Sequence, residues 1–474
     1  MDTSPADRGG DLHLDLSAGR ARGLGLRAAL EDALRGTVRE GRLAPGTRLP
    51  PSRTLAGDLG VARNTVAEAY AQLTAEGWLT ARQGSGTVVA ERAVGEGVAA
   101  PALPQRTPAA RYDFTPGRPD LSLFPRTAWL AAARRALTTA PNEALSYSDP
   151  RGRIELRRAL ADYLARVRGV RTDPERIVVC GGYTQGIGLL CRTLRERGAA
   201  AAAVEEYGLP HQQRLVEAGG LAAVALPLDA AGARTDLLAG LDVGAVTLTP
   251  AHQFPTGVAL QPARRAAAVA WAREHGGLVI EDDYDGELRY DRQPVGALQA
   301  LDPERVAYIG TASKSLAPGL RLGWLALPAD LVEPVTRQKL LADGHSGAFE
   351  QLTLAEFITS GGLDRHVRRC RQHYRRRRDL LLARLAERAP AVRVTGLAAG
   401  LHAVLQLPPG GLSERELLQQ AAWLGLAIHT TTGNRAPAAG PRPDGPPALV
   451  IGYGTPPDHS FPAAVEALCR LLTL

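Results

Sequence analysis

The chain has 474 residues, 45% hydrophobic and 22% charged, which is enough apolar content to bury a sizeable core and excludes a compositionally disordered chain. Its four cysteines, Cys180, Cys191, Cys370 and Cys469, have no C-x-x-C spacing and are too few for a disulfide scaffold or an obvious zinc site. The N-terminus shows no apolar h-region and no run of about 18 apolar residues occurs, so the expectation is a cytoplasmic protein with reduced thiols.

The net charge is +7, yet 54 of the 56 basic residues are arginines and the lysines are Lys314 and Lys339 alone. A coding bias can replace Lys by Arg wherever only a positive charge is needed. It cannot do so where an amine must bond to a carbonyl carbon, because guanidinium is not deprotonated in proteins. Each lysine is therefore either a chemical group or a leftover surface cation.

Residues 11–90 alternate short helical patterns with Gly and Pro. An amphipathic helix is predicted over 25–40, a second from Ser52, its expected N-cap, to Gly60, and a third from Arg63 to Glu76 with Val66, Tyr70 and Leu73 on one face. Arg63, Asn64 and Thr65 then point outward from the first turn of the third helix. The tight turn before that exposed polar turn describes a helix-turn-helix. The stretches 78–82 and 87–89 flank Gln83-Gly84-Ser85-Gly86 as a hairpin wing. Charge alone leaves a generic three-helix bundle open, since residues 1–90 hold eleven Arg against ten Asp and Glu. Placement favours duplex DNA, because Arg53, Arg63 and Arg82 fall on the second helix, the recognition turn and the wing. About three phosphate contacts bind weakly, which implies a dimer. The segment LPPSRTLAGDLGVARNTVAEAYAQLTAEGWLTARQGSGTVV resembles the winged helix-turn-helix of the GntR family. That resemblance implies Arg53, Arg63, Asn64, Thr65 and Gly84 as DNA-contacting residues. Ala62 stands where such proteins often have a capping Ser or Thr.

Residues 91–112 are Pro-containing and lack apolar periodicity, as a linker would. From 113 to 474, buried strands are predicted at 177–180, 200–204, 221–226, 245–249, 278–282, 306–310 and 322–327, with helical segments between most of them. Seven such runs predict an open, mostly parallel α/β sheet, whose ligands bind beyond the carboxyl ends of the strands.

Lys314 and Arg321 follow the run at 306–310. An amine there can form a Schiff base with an aldehyde, and a guanidinium fork suits a phosphate. Pyridoxal phosphate carries both groups. Its pyridine nitrogen needs a carboxylate, for which Asp282 is the candidate, with Tyr284 for the ring hydroxyl. Its phosphate needs N–H donors at a helix start, which Gly181-Gly182-Tyr183-Thr184 offers. Singly, each motif is equally a turn or a solvated loop, and metal binding is the competing reading. Together with the 249–257 segment TPAHQFPTG they point to the cofactor.

The region 113–474 resembles the fold-type I aminotransferases, and the two regions together resemble the MocR subfamily of GntR regulators. The stretches that carry this are LSYSDPRGRIELRRALADYL, TPAHQFPTG, EDDYDGELRY and TASKSLAPGLRLGW. The resemblance implies Lys314 as the amine bonded to the cofactor, Asp282 on its ring nitrogen, and Tyr284 with His252 or Gln253 near its ring oxygen. It places Tyr183, Thr184, Thr311, Ser313 and Arg321 around the phosphate. It also implies a homodimer, head-to-tail with domains exchanged, in which Tyr147 reaches into the partner's site.

Two departures bear on function. Where the family has E-x-P-G-Y with a tyrosine stacked on the ring, this chain has Glu205-Glu206-Tyr207-Gly208-Leu209-Pro210, so the stacking residue is missing unless Tyr207 shifts. No arginine directly precedes Leu449-Val450-Ile451-Gly452-Tyr453 to clamp a substrate carboxylate, and Arg435 and Arg442 lie in a Gly/Pro-rich loop. Such positioning is a large share of transamination. The reading is a regulator that senses pyridoxal phosphate, as PdxR-type regulators of vitamin B6 synthesis do, or an amino compound. The alternative is a working aminotransferase with a DNA-binding appendage. The basic run Arg368–Arg378 is expected to spread around its helix as a solvated, ion-paired face, or else to extend the DNA-binding surface.

Overall fold

The computed structural model describes residues 12, 14–82, 86–91, 110–290, 295–440 and 448–473. It divides into two compact units, Met1–Thr107 and Pro108–Leu474. Of the predicted linker, residues 92–109 lie outside the described residues, as does Gly84.

The first unit holds helices α1 (Ser17–Ala21), α2 (Leu26–Arg39), α3 (Ser52–Leu59) and α4 (Arg63–Ala75), then the antiparallel strands β1 (Leu79–Arg82) and β2 (Gly86–Val89). Leu30, Leu34, Leu55, Val66, Tyr70, Leu73, Leu79 and Val89 form its core, so the apolar face predicted for α4 is the buried one. Gly60 ends α3 at φ 64°, in the left-handed region that glycine tolerates, and this turns the chain into α4. The N-cap of α3 is Pro51 rather than Ser52. Pro51 is extended at ψ 141°, so Ser52 enters at the first helical position and its hydroxyl makes no capping bond.

The second unit is built on a seven-stranded sheet of β3 (Ile177–Cys180), β4 (Ala201–Glu205), β5 (Ala222–Leu226), β6 (Ala245–Leu248), β7 (Leu278–Asp283), β8 (Val306–Thr311) and β9 (Gly323–Ala326). Their order is β3-β9-β8-β7-β6-β4-β5, and only β9 runs antiparallel to its neighbours. The strands are nearly continuous apolar runs because both faces are covered. Ile177 and Val179 pack under helices 154–168 and 348–359, while Val178 and Cys180 pack against helices 183–196 and 329–343. A smaller sheet of 393–395, 402–406, 448–452 and 429–430 carries helices 362–388, 414–423 and 461–472. No helix among the described residues is long and apolar enough to cross a membrane.

Candidate functional site

The loops after β3, β6, β7 and β8 converge on a cavity of about 240 Å³ in the second unit. Tyr183, Thr184, Asp282, Tyr284, Thr311, Ser313, Lys314 and Arg321 all line it, with Gly117, Gly182, Leu209, Thr249 and Phe254.

Lys314 lies in the turn after β8, and its Nζ donates to the Gly117 carbonyl at 2.6 Å. Burial holds its pKa below the ordinary lysine value, opposed by the charges of Asp285 and Asp282. A lowered pKa leaves a larger share of the amine neutral and nucleophilic.

Strand alternation separates the two carboxylates that end β7. Asp283 faces the side where Arg168 Nε donates to it at 2.6 Å and the Tyr308 hydroxyl at 2.8 Å, so its oxygens are occupied. Asp282 faces the cavity, is 5% exposed, and its Oδ1 is buried with no hydrogen-bond partner. Burial, then the Asp283 charge, pushes its carboxyl far above the carboxylate range, while Lys314 opposes the shift. A buried acceptor without a donor is costly, so Asp282 is poised for a cationic N–H.

At the opposite end, Arg321 takes φ 53°, the only positive φ on a non-glycine among the described residues. This bend brings its guanidinium beside the turn after β3, where a Cβ on Gly181 or Gly182 would lie 3.5 and 3.9 Å from it. Gly182, at φ 103°, opens the helix Tyr183–Glu196. The Thr311 and Ser313 hydroxyls, 2.8 Å apart, close the same corner. A helix start, a guanidinium and two hydroxyls make an anion cradle.

Two expected ring-oxygen partners stand behind the cavity wall rather than in it. The Gln253 amide donates to the carbonyls of Tyr207 (2.7 Å) and Phe254 (2.6 Å) and accepts from Thr256, which fixes its loop. His252 Nδ1 lies 2.8 Å from Asp285 and 3.2 Å from the Tyr284 hydroxyl, so it supports Tyr284 from beneath. His402, which the sequence did not single out, packs on His252 with ring centroids 4.9 Å apart, and burial pushes its pKa down to about 3. Tyr207 does not shift into the stacking role. Its carbonyl is held by Gln253, and Leu209 lines the cavity in its place. Tyr147 is 95% exposed, its ring edge-on to His345 at 6.0 Å, outside the cavity of its own chain.

Arg435 also stays out. Its guanidinium is paired with Glu206 at 2.8 Å and donates to the Ala439 carbonyl. Arg442 lies outside the described residues. Arg321 is thus the one guanidinium among the described residues that line the cavity.

Lys339 is no surface leftover, since its side chain is 0% exposed. Its Nζ donates to Asp343 at 2.5 Å, Asp343 accepts from Gln185 at 2.8 Å, and Gln185 accepts from the Gly181 N–H at 2.6 Å. The second lysine therefore braces the turn that forms the anion cradle.

In the first unit, Arg53, Arg63 and Asn64 are exposed and Thr65 is half-buried, all at the start of α3 or α4. Ala62 is the N-cap of α4 and makes no side-chain cap. Arg82 ends β1 at the wing. Arg48, not singled out from the sequence, is exposed and bridges to Val88 of the wing.

Residues 26–89 match the family model of bacterial regulatory proteins of the gntR family, and residues 116–434 match that of aminotransferase class I and II. The HTH-type pyridoxine biosynthesis transcriptional regulator PdxR of Corynebacterium glutamicum is 35% identical over 79% of this chain and 82% of its own length. The "probable rhizopine catabolism regulatory protein MocR" of Rhizobium meliloti is 33% identical over 75% of this chain and 76% of its own. Among solved structures, the Pyrococcus horikoshii kynurenine aminotransferase in complex with PMP superposes with a TM-score of 0.67 at 25% identity, covering 76% of this chain and 90% of that one. The chain belongs to the MocR subfamily of GntR-type transcriptional regulators, in which a gntR-family helix-turn-helix is joined to a domain of the aminotransferase class I and II fold.

Proposed function

We propose that this regulator holds pyridoxal phosphate at Lys314 and that either the cofactor itself or an amino compound reacting with it sets the affinity of a homodimer for its DNA operator. The observation that carries the reading is the pairing, in one cavity, of a buried lysine amine with an unpartnered Asp282 oxygen and the Arg321 cradle. When bound, pyridoxal phosphate supplies an aldehyde that bonds to amines and a ring that withdraws electrons. The chain's own residues account for the fit. Arg321, Thr311, Ser313 and the start of helix 183–196 bind the phosphate, Asp282 accepts from the ring nitrogen, and Tyr284, braced by His252, orients the ring oxygen.

The missing clamp favours sensing over turnover. With Arg321 reserved for the phosphate and Arg435 tied to Glu206, the cavity wall has no second guanidinium for a substrate carboxylate among the described residues. An effector can shift a dimer between arrangements only by binding one better than the other, which an occupied cavity can provide without completing a reaction cycle. The likeness to PdxR, a regulator named for pyridoxine biosynthesis, supports a signal drawn from vitamin B6 chemistry.

The test is a visible spectrum of the purified chain with added pyridoxal phosphate, followed by borohydride reduction, peptide mapping and a gel shift on the chain's own upstream region. The expected result is a coloured complex reduced at Lys314, a salt-sensitive shift that depends on the cofactor, and loss of colour in Lys314→Ala. A reduced adduct at Lys339, or repeated turnover of an amino donor with a keto acid, would overturn it.

A further inference from the structure

The run Arg368–Arg378 does not spread evenly around its helix. Within Gly362–Arg388, His366, Val367, Cys370, His373, Tyr374 and Arg377 face inward and are buried. Arg365, Arg368, Arg369, Gln372, Arg375 and Arg376 are all exposed. Their spacing of i, i+3, i+4, i+7, i+10 and i+11 puts them on one helical face.

The ion-paired alternative fits only the inner side. Arg377 is bonded to Asp458 at 2.7 Å and to the carbonyls of Tyr453 and Gly454. Outside, Arg375 meets Asp379 at 4.0 Å, at the limit of an ion pair, and Arg369 donates to the Leu123 carbonyl. Among the described residues, no carboxylate pairs with Arg365, Arg368 or Arg376. Exposed arginines of the surrounding helices divide: Arg166 pairs with Asp364 and Arg135 with Glu356, whereas Arg126, Arg134 and Arg158 make no ion pair among the described residues. What sets the ridge apart is the clustering of its arginines on one face. Like charges three and four residues apart destabilise a helix, so this face carries a repulsion that a polyanion would relieve.

We propose that this ridge is a second phosphate-binding surface for duplex DNA, formed by the aminotransferase-like unit and additional to the winged helix. At 1.5 Å per residue, Arg365 to Arg376 spans about 16 Å. Duplex DNA presents on the order of ten charges over that length, at one per ~1.7 Å. Guanidinium forks suit phosphate oxygens without reading bases. The ridge therefore adds affinity without sequence preference and makes binding depend on duplex beyond the recognition half-sites. This inference rests on the DNA-binding reading above.

The experiment compares the full-length wild type, the triple variant Arg365→Gln/Arg368→Gln/Arg376→Gln, and a charge-keeping triple Arg→Lys variant, all loaded with cofactor. Fluorescence anisotropy on the upstream-region duplex and on an unrelated duplex is read across a salt series. The Gln variant is expected to have a log K against log salt slope shallower by about 2 to 3, at about 0.9 for each phosphate no longer neutralised. It should weaken on both duplexes alike and keep its cofactor absorbance and thermal transition, and the Lys variant should restore the slope. A Gln variant with wild-type slope and affinity would overturn the ridge and leave that face to an acidic protein or an RNA. Failure of the wild type to bind either duplex would instead sink the regulator reading.

Discussion

Glu205 ends β4 inside the protein, where it accepts from the Thr249 hydroxyl at 2.5 Å. Burial raises its pKa from 4.5 to about 7. A raised acid pKa means that the folded chain keeps a proton which the unfolded chain has already released, so stability falls as pH rises from about 4.5 to about 7. The slope is about 1.4 kcal/mol per pH unit across that window. Glu205→Gln carries no such proton and still offers an amide oxygen to Thr249. We expect variant and wild type to have the same urea midpoint below pH 4.5 and to diverge in favour of the variant up to pH 7. Parallel midpoints over that range, measured on cofactor-free protein, would show that the carboxylate is stabilised in a way the burial argument misses.

At the scale of elements, α4 presents Arg63 and Asn64 to solvent beside a half-buried Thr65, yet its N-cap is an alanine. The Ala62 side chain offers no acceptor to the first N–H groups of this helix, of which the Thr65 N–H is bonded to the Ala62 carbonyl at 3.0 Å, and a serine hydroxyl there can accept from one of the others. Ala62→Ser should stabilise the helix by about 1 kcal/mol. Amide exchange by mass spectrometry is the check, with protection over 63–75 rising about fivefold, and unchanged exchange would mean that the turn already satisfies those groups. The same local chemistry explains what was legible in advance. All seven strands of the large sheet lie where the apolar runs put them, because strands buried on both faces need continuous runs. Lys314, Asp282 and Arg321 stood out because ligand groups gather at the carboxyl ends of such strands. What could not be read depends on long-range packing. Nothing local in Gly323–Ala326 marks it as the antiparallel strand between β3 and β8. His402 reaches His252 across 150 positions, and Gln253 turns from the cavity because the Tyr207 and Phe254 carbonyls compete for its amide.

For the whole molecule, the second unit leaves large apolar side chains in water on connected elements. Leu130 and Leu137 lie seven apart on one face of helix Arg126–Thr139, 67% and 48% exposed. Leu145 and Tyr147 follow at 61% and 95%, and the Tyr147 ring packs beside His345, just beyond Leu340 and Leu341. Apolar surface of this extent marks an association site, and burying each leucine is worth about 1.5–3 kcal/mol. We propose that the homodimer closes over this face; two winged helices, each weak by itself, then act together, and linking two modules raises apparent affinity by about 10²–10⁴. Leu130→Glu/Leu145→Glu places two charges in that contact. Sedimentation is expected to report a dimer for the wild type and a monomer for the variant at the same concentration, and operator affinity should fall by about two orders of magnitude or more. On the proposed function, in which Tyr147 of a second copy reaches the cavity, the Lys314 colour should weaken as well. A variant that remains dimeric with intact operator binding would place the interface elsewhere, and the exposed leucines would then need another partner.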